Sequence, residues 1–410
     1  MIKRLIKKIF GQYFASRIAA MLCIIPNGIC SLFPMRKEIL LESKPDFACN
    51  TYELYRYFLK KGLNKEYRLV WRVSTPELYT DNKPENVYYI KEYPTGLASR
   101  IRNYIRCNRA LVSISCNMNL PRYKTSRKQL NIYLDHGSQL KSMKSKDGKR
   151  APLSCDYLVS QSAFFIPYHI QEYTLNKNQI ICTGLPRDDQ FYRLNESINK
   201  LIPEVNKYKK TIIWTPTFRI HKNGYRVDCH YDYPYGLPFL FSEKDINQLE
   251  KCLIEENILL IIKPHPAQNL DSFKIQNRRN TIIITNDVLS EHNIQINELL
   301  SQTDAMITDY SSIYYDYLFV KKPLALTLDD YHAYENEKGF VFDNPLDVLK
   351  GEMLYSLSDL CLFIKNVSKG IDNHYEERQR LHELINDFDD GNSSERVYTF
   401  ICNKLKHHND

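Results

Sequence analysis

Four short segments place chemically capable side chains directly after apolar runs: YLDHGSQLK (133–141), IIWTPTFR (212–219), LIIKPHP (260–266) and MITDYSS (306–312). In the first, Gly137 follows Asp135 and His136, permitting a tight turn and close approach of a substrate. A neutral His136 there is able to take a proton from an attacking alcohol, with Asp135 orienting the ring or taking part itself. The plain alternative is a satisfied core histidine. In the second, Thr217 offers a hydroxyl and Arg219 an anion ligand, unless the loop is merely solvated. In the third, Pro264 and Pro266 stiffen the perch of His265 and Lys263 adds positive charge; the alternative is a turn in which the histidine bonds backbone. In the fourth, Ser311 and Ser312 fall where a helix begins. A phosphate can use their hydroxyls together with the unpaired N–H groups of a first helical turn. Ser311 as an ordinary N-cap and Tyr310 as a packing residue is the competing reading.

These segments need elements that bring them together. From residue 38 onward, short apolar runs alternate with helical patterns, which predicts crossover connections and parallel sheets covered on both faces. Strands are predicted at 39–42, 68–73, 87–90, 110–115, 131–134, 157–160 and 180–183. A second set falls at 211–215, 258–263, 281–285, 305–308 and 324–328. In open sheets of this kind ligands bind outside the carboxyl ends of the strands, where all four segments lie. The gap between the two sets, near residues 190–210, divides the chain into two doubly wound domains. The tail from about residue 352 is expected to be helical and to pack back on the first domain.

Composition narrows the chemistry. At 410 residues with 43% hydrophobic and 25% charged side chains, the chain is long enough for two ordinary cores. Only 13 glycines are present, and none forms a glycine-rich phosphate loop. The 11 cysteines include no C-x-x-C pair, which points to reduced thiols in a cytosolic protein and gives no zinc spacing. A D-x-D triplet occurs only as Asp387-Phe388-Asp389, inside the helical tail. Residues 100–150 hold 13 Lys or Arg against Asp135 and Asp147, which is either a solvated face or a surface facing a polyanion. The N-terminus reads as an amphipathic helix, with Ile2, Leu5, Ile6, Ile9, Phe10 and Tyr13 opposite Lys3, Arg4, Lys7 and Lys8. The apolar run after Arg17 is short for a bilayer span and is interrupted by Pro26-Asn27-Gly28, so an in-plane membrane anchor is expected, the alternatives being an ordinary core helix or a processed signal peptide.

The order of the motifs resembles that of the CDP-glycerol:glycerophosphotransferase family, the teichoic-acid primases and polymerases. EILLESKPDFACNTYELYRYF and YRLVWRV are similar to the family's opening. YLDHGSQLK stands where the family has W-H-G-T-P-L-K, and CDYLVSQSAF and TGLPRDD match S-x-x-D-Y-L-I-S and T-G-x-P-R-N-D. WTPTFR, IKPHP, ITDYSSIYYDYLFVKKPL and DDYHAYENEKGFVFD follow in the family's order, so the resemblance covers roughly residues 38–345. Two departures, Asp135 for tryptophan and Ser138-Gln139 for T-P, alter the acceptor side, while the donor-side motifs are nearly intact.

The resemblance implies an α/β fold of the GT-B type: two Rossmann-type domains facing a cleft whose sheet tips grip a pyrophosphate. Together with the patterns above, it gives a membrane-associating segment (1–34), an acceptor domain (35–195), a CDP-donor domain (196–350) and C-terminal helices (351–410) packing back on the first domain. It further implies that His136 serves as base for the acceptor hydroxyl, with Asp135, Gly137, Ser138 and Lys141 on the acceptor side. His265, Thr217, Arg219, Lys263, Tyr310, Ser311 and Ser312 would handle the diphosphate, with Asp309 and Asp316 shaping that pocket. The donor is CDP-glycerol or CDP-ribitol, and the acceptor a polyprenyl-linked or polymeric glycan. The work would be done peripherally on the cytoplasmic face of the plasma membrane, in a teichoic-acid or a capsule pathway. No cofactor, metal site or nucleic acid is called for, and a divalent-metal requirement is left open by the motifs. The rival readings are a GT-B glycosyltransferase using a nucleotide sugar and a nucleic-acid-binding protein using the basic block.

Overall fold

Runs rich in Ile, Leu and Val form the strands because both faces of each sheet are buried, which rewards continuous rather than alternating apolar sequence. The computed structural model describes residues 26–79, 81, 83–117, 128–143, 153–219, 221, 228–231, 233–268, 270 and 273–407. The amphipathic segment predicted at the N-terminus lies outside these residues, apart from Pro26 onward, as does much of the basic block. Among the described residues no helix is long and apolar enough to cross a membrane.

The chain forms two compact units. The first comprises the described residues through Ser138, Met143–Asp189 and Ile385 onward; the second comprises Gln139–Ser142 and Gln190–Leu384. The first holds β1 (Arg36–Glu42), β2 (Arg68–Val73), β3 (Val87–Lys91), β4 (Ala110–Ser115), β5 (Leu130–Tyr133), β6 (Tyr157–Ser160) and β7 (Ile180–Cys182). Their order is β3-β2-β1-β4-β5-β6-β7, parallel throughout. On β1, Ile39 and Leu41 join one core cluster with Trp71, Val112 and Ile114. Leu40, between them, faces the other side with Val70 and Ile90.

The second unit holds β8 (Lys210–Trp214), β9 (Ile258–Ile262), β10 (Thr281–Ile283), β11 (Ala305–Thr308), β12 (Leu324–Thr327) and β13 (Glu352–Leu354). They run parallel in the order β10-β9-β8-β11-β12-β13. Both sheets are therefore doubly wound, and the strand order reverses at β1/β4 in one and at β8/β11 in the other. Such reversals open the crevice in which ligands of this architecture bind.

Every strand predicted from sequence forms, with end shifts of a few residues. β13 is the surplus, lying where a helical tail was expected. Only Leu354 of its three residues is buried, so no pattern announces it. It follows Gly351, where a Cβ would stand 2.5 Å from the Leu324 carbonyl oxygen. The expected C-terminal block divides: the helix Leu357–Lys369 packs in the second unit, whereas Ser393–His407 packs in the first.

Candidate active site

In the second unit, the exits of β9, β8 and β11 stand side by side and bring three of the four segments into contact. Asp309 is the hub. Its carboxylate accepts from the Thr217 amide at 3.0 Å and from the Thr217 hydroxyl at 2.5 Å. Arg219 Nη1 donates to the same carboxylate at 2.9 Å and to the Thr217 carbonyl at 3.0 Å. The rest of the guanidinium grips Asp330, through Nε at 2.6 Å and Nη2 at 3.1 Å. Four of its five N–H groups are thus spent. Burial works against the Arg219 charge, but the two carboxylates outweigh it and hold the group firmly protonated. The anion ligand expected at Arg219 is in this geometry a buried strut, because its donors already serve two acids. Tyr310 shares that scaffold: its hydroxyl donates to Asp330 at 3.1 Å and its ring packs on Tyr334 and Phe340.

Lys263 and His265 leave β9 beside this hub. The Lys263 ammonium donates to the Pro264 carbonyl at 3.0 Å, and burial alone pulls its pKa down to about 8. His265 Nδ1 accepts from the Ala267 amide at 3.0 Å, so a neutral ring carries its proton on Nε2. The His265 ring rests on Phe218, with centroids 4.9 Å apart. The turn in which the histidine bonds backbone, one of the two readings the sequence offered, is therefore present, with Nδ1 as the bonded nitrogen.

Ser311 and Ser312 are partly exposed at the start of the short helix Ile313–Tyr317. Ser312 is the residue at the cap position, yet its side chain makes no capping bond. Asp316 is buried within that helix. Lys141 belongs to this unit rather than to the acceptor domain in which it was expected. Residues 140–142 pair with 339–341 through the Val341–Leu140 and Ser142–Gly339 backbone bonds, which carry the Lys141 ammonium to 3.5 Å from the Thr217 hydroxyl.

The first unit holds the fourth segment. After β5 the backbone turns through Asp135 at φ 56° and Gly137 at φ 127°, leaving His136 exposed at the tip. Asp135 does not orient the imidazole. The left-handed turn sends its carboxylate inward, where it accepts from the His136 amide at 2.7 Å and the Tyr173 hydroxyl at 3.1 Å. Burial raises Asp135 to about 6 and lowers the neighbouring His169 to about 3, so His169 is neutral. Ser138 is buried and donates to Gln161.

Four residues at or behind this turn were not read as site residues from sequence, although three of them, Cys49, Asn50 and Arg187, lie within quoted motifs. Asn50 donates from Nδ2 to the carbonyls of Leu134 and Asp135, both at 3.1 Å, and accepts from the Arg187 amide. Arg187 Nη1 donates to the His136 carbonyl at 2.9 Å and lies 3.5 Å from Cys49 Sγ. Cys49 Sγ is 3.5 Å from His136 Nδ1. The fourth, Cys116, hydrogen-bonds Cys49 and, with His136 and Arg187 adding charge, holds the Cys49 thiol well below its ordinary range. The Cys49 thiolate in turn raises His136. Asn50 and Arg187 lie within the ACNTYELYRYF and TGLPRDD motifs, and Asp330 within DDYHAYENEKGFVFD. Those motifs served as markers of resemblance rather than as sources of site residues.

Comparison with known proteins adds four findings. The chain is 29% identical over 253 residues to the teichoic acid glycerol-phosphate primase of Bacillus subtilis (strain 168), covering 62% of this chain and 58% of that protein. It is 27% identical to the teichoic acid ribitol-phosphate polymerase TarK of Staphylococcus aureus (strain NCTC 8325 / PS 47), over 57% of this chain and 42% of that one. The chain thus spans about half the length of these curated relatives. Its fold matches the structure of the wall teichoic acid polymerase TagF with a TM-score of 0.71 at 20% identity, over 97% of this chain and 99% of that one. The family described as CDP-glycerol:poly(glycerophosphate) glycerophosphotransferase matches residues 29–403, and the chain belongs to it.

Proposed function

We propose that the protein transfers an alditol phosphate, glycerol phosphate in the first instance, from its CDP derivative to a hydroxyl of a polymeric or polyprenyl-linked surface glycan, releasing CMP. The observation that carries this reading is the family match across residues 29–403, inside which the exits of β8, β9 and β11 converge on one hub. In the reaction the acceptor oxygen attacks the phosphorus attached to the alditol. The new P–O bond forms as the bond to the CMP oxygen breaks, and CMP leaves with that electron pair. Phosphoryl transfer depends chiefly on position and on neutralising oxygen charge. Lys263, the Nε2–H of His265 and the hydroxyls of Ser311 and Ser312 supply those contacts. Asp309, Thr217, Arg219 and Tyr310 hold them in place without touching the donor through the groups already spent. His136 takes the acceptor proton.

Action at the cytoplasmic face of a membrane is part of the same reading. Ile29, Leu32 and Phe33 are exposed, as is the stripe Leu97, Ile101 and Ile105 on the helix Leu97–Arg109, where Arg100 and Arg102 are exposed as well. Apolar side chains flanked by arginines suit the boundary of an anionic bilayer. Sedimentation with anionic vesicles tests this, and binding unaffected by Ile101→Asp together with Ile105→Asp counts against it.

The deciding experiment incubates the purified chain with a teichoic-acid acceptor and CDP-glycerol, CDP-ribitol or UDP-sugars. CMP release from one CDP-alditol is expected, with His136→Ala and His265→Ala each reducing turnover by ~10²–10⁴. Release of UDP from a sugar donor without CMP from either CDP-alditol would falsify the assignment.

A further inference from the structure

Cys49, Cys116 and His136 are far apart in sequence, and no spacing pattern announces them. Cys49 opens the helix Cys49–Lys60 behind β1, Cys116 follows β4, and His136 follows β5. Those strands are neighbours, and β1/β4 is the point at which the first sheet reverses its order. The two Sγ atoms and a ring nitrogen of His136 lie within 4.8 Å of one another. Cys49 Sγ and His136 Nδ1 are 3.5 Å apart.

We propose that Cys49 Sγ, Cys116 Sγ and His136 Nδ1 bind one thiophilic divalent cation, Zn²⁺ foremost, with a fourth position open to water. The donor set is that of zinc, since two soft sulfurs and an imidazole disfavour Mg²⁺ and Ca²⁺. Tetrahedral zinc, with Zn–S of ~2.3 Å and Zn–N of ~2.0–2.1 Å, places a sulfur and a nitrogen ligand about 3.5 Å apart. An outer shell is already built. Arg187 Nη1 stands 3.5 Å from Cys49 Sγ, and Asn117 Nδ2 stands 3.9 Å from Cys116 Sγ. N–H donors of this kind orient and tune thiolate ligands. Two thiolates, a neutral imidazole and one dication make a neutral site, and binding releases to solvent whatever protons the three ligand groups held beforehand. Cys49 is held at φ 61°, a conformation costly for a residue with a Cβ, and the exposed His136 gives the ion a way in.

Occupancy has a chemical consequence for the imidazole. A neutral ring bound through Nδ1 keeps its proton on Nε2 and accepts none, so the cation and a base role for His136 exclude each other. Zinc is therefore an off-switch for the reaction proposed above, and only this consequence rests on that reading.

The test titrates the reduced, metal-free full chain with Co²⁺ under anaerobic conditions. One equivalent is expected to produce sulfur-to-cobalt charge-transfer absorption and tetrahedral d–d bands, both bleached by Zn²⁺. Cys49→Ser and Cys116→Ser each abolish the absorption, and Asn117→Ala weakens binding by ~10–100-fold. Cys402→Ser, on the C-terminal helix, leaves it intact. Far-UV circular dichroism guards against misfolding at the buried Cys116, and the partly exposed Cys49 provides the second variant. Absence of the absorption, its survival in Cys49→Ser, or a Cys49–Cys116 disulfide in place of metal uptake overturns the site. In a separate assay Zn²⁺ suppresses CMP release; a chain that binds Co²⁺ but releases no CMP keeps the site and discards the reaction.

Discussion

Between Asp309 and Asp330, the Arg219 guanidinium bridges two buried carboxylates and stands over the rings of Tyr233, Tyr310 and Tyr334. Arg219→Met strands both acids, and removing one partner of a buried ionic group costs about 3–5 kcal/mol. Urea unfolding should show that loss, and Arg219→Lys should recover only part of it because an ammonium cannot reproduce the bidentate contact to Asp330. An unchanged midpoint with a raised donor KM would instead make Arg219 an anion ligand. Lys263 is the opposite case. Its folded pKa of about 8 lies below the ordinary lysine value of 10.5, so burial of the charged form costs on the order of 3 kcal/mol below pH 8. The unfolded chain binds more protons between pH 8 and 10.5, so this penalty fades as pH rises through that window. Lys263→Met is therefore expected to raise the melting temperature near pH 7, to lose that advantage by pH 10, and to weaken CDP binding throughout. A destabilised Lys263→Met would mean that the ammonium is satisfied in the fold and has no need of a phosphate.

At the scale of elements, the start of Ile313–Tyr317 separates two readings that sequence alone left open. Replacing a serine that caps a helix costs about 1 kcal/mol, whereas a surface substitution away from such features stays within about ±0.5 kcal/mol. With no capping bond at Ser312, the double change Ser311→Ala and Ser312→Ala should leave the unfolding free energy in the smaller range and raise donor KM. A loss near 1 kcal/mol with unchanged KM would restore the capping role. Strands were the most legible elements, because IIKPHP and MITDYSS carry an apolar run and its polar exit together. β13 was not, since a three-residue edge strand with one buried side chain has no periodicity to read. Partners of the polar exits were equally hidden. Asp330, Asn50 and Arg187 reach their targets across 111, 84 and 51 positions of sequence, and no local pattern encodes such a bond. The left-handed backbone at Asp135, which turns its carboxylate away from the His136 ring, is likewise set by tertiary contacts with Asn50 and Tyr173.

At the scale of the molecule, the first unit is discontinuous in sequence and is completed by the chain's last helix. Asp189 accepts the amides of Ser393 and Ser394 at 2.8 and 2.9 Å, fixing the start of Ser393–His407. From there Val397, Ile401 and Leu405, one turn apart, bury against a core containing Leu54, Phe58 and Trp71. Periodicity made the helix readable, but its partner was a matter of tertiary choice. The chain has two tryptophans, and each core buries one: Trp71 in the first unit and Trp214 in the second. Single-tryptophan forms made by Trp71→Phe or Trp214→Phe therefore follow the two cores separately during unfolding. Ile401 is fully buried, and truncating such a side chain costs about 2–5 kcal/mol through lost transfer energy and the cavity left behind. In the Trp214→Phe background, Ile401→Ala should move the Trp71 transition to lower urea by that amount. In the Trp71→Phe background the same change should move the Trp214 transition by less. Equal shifts, or a shift confined to Trp214, would mean that the last helix does not complete the first core.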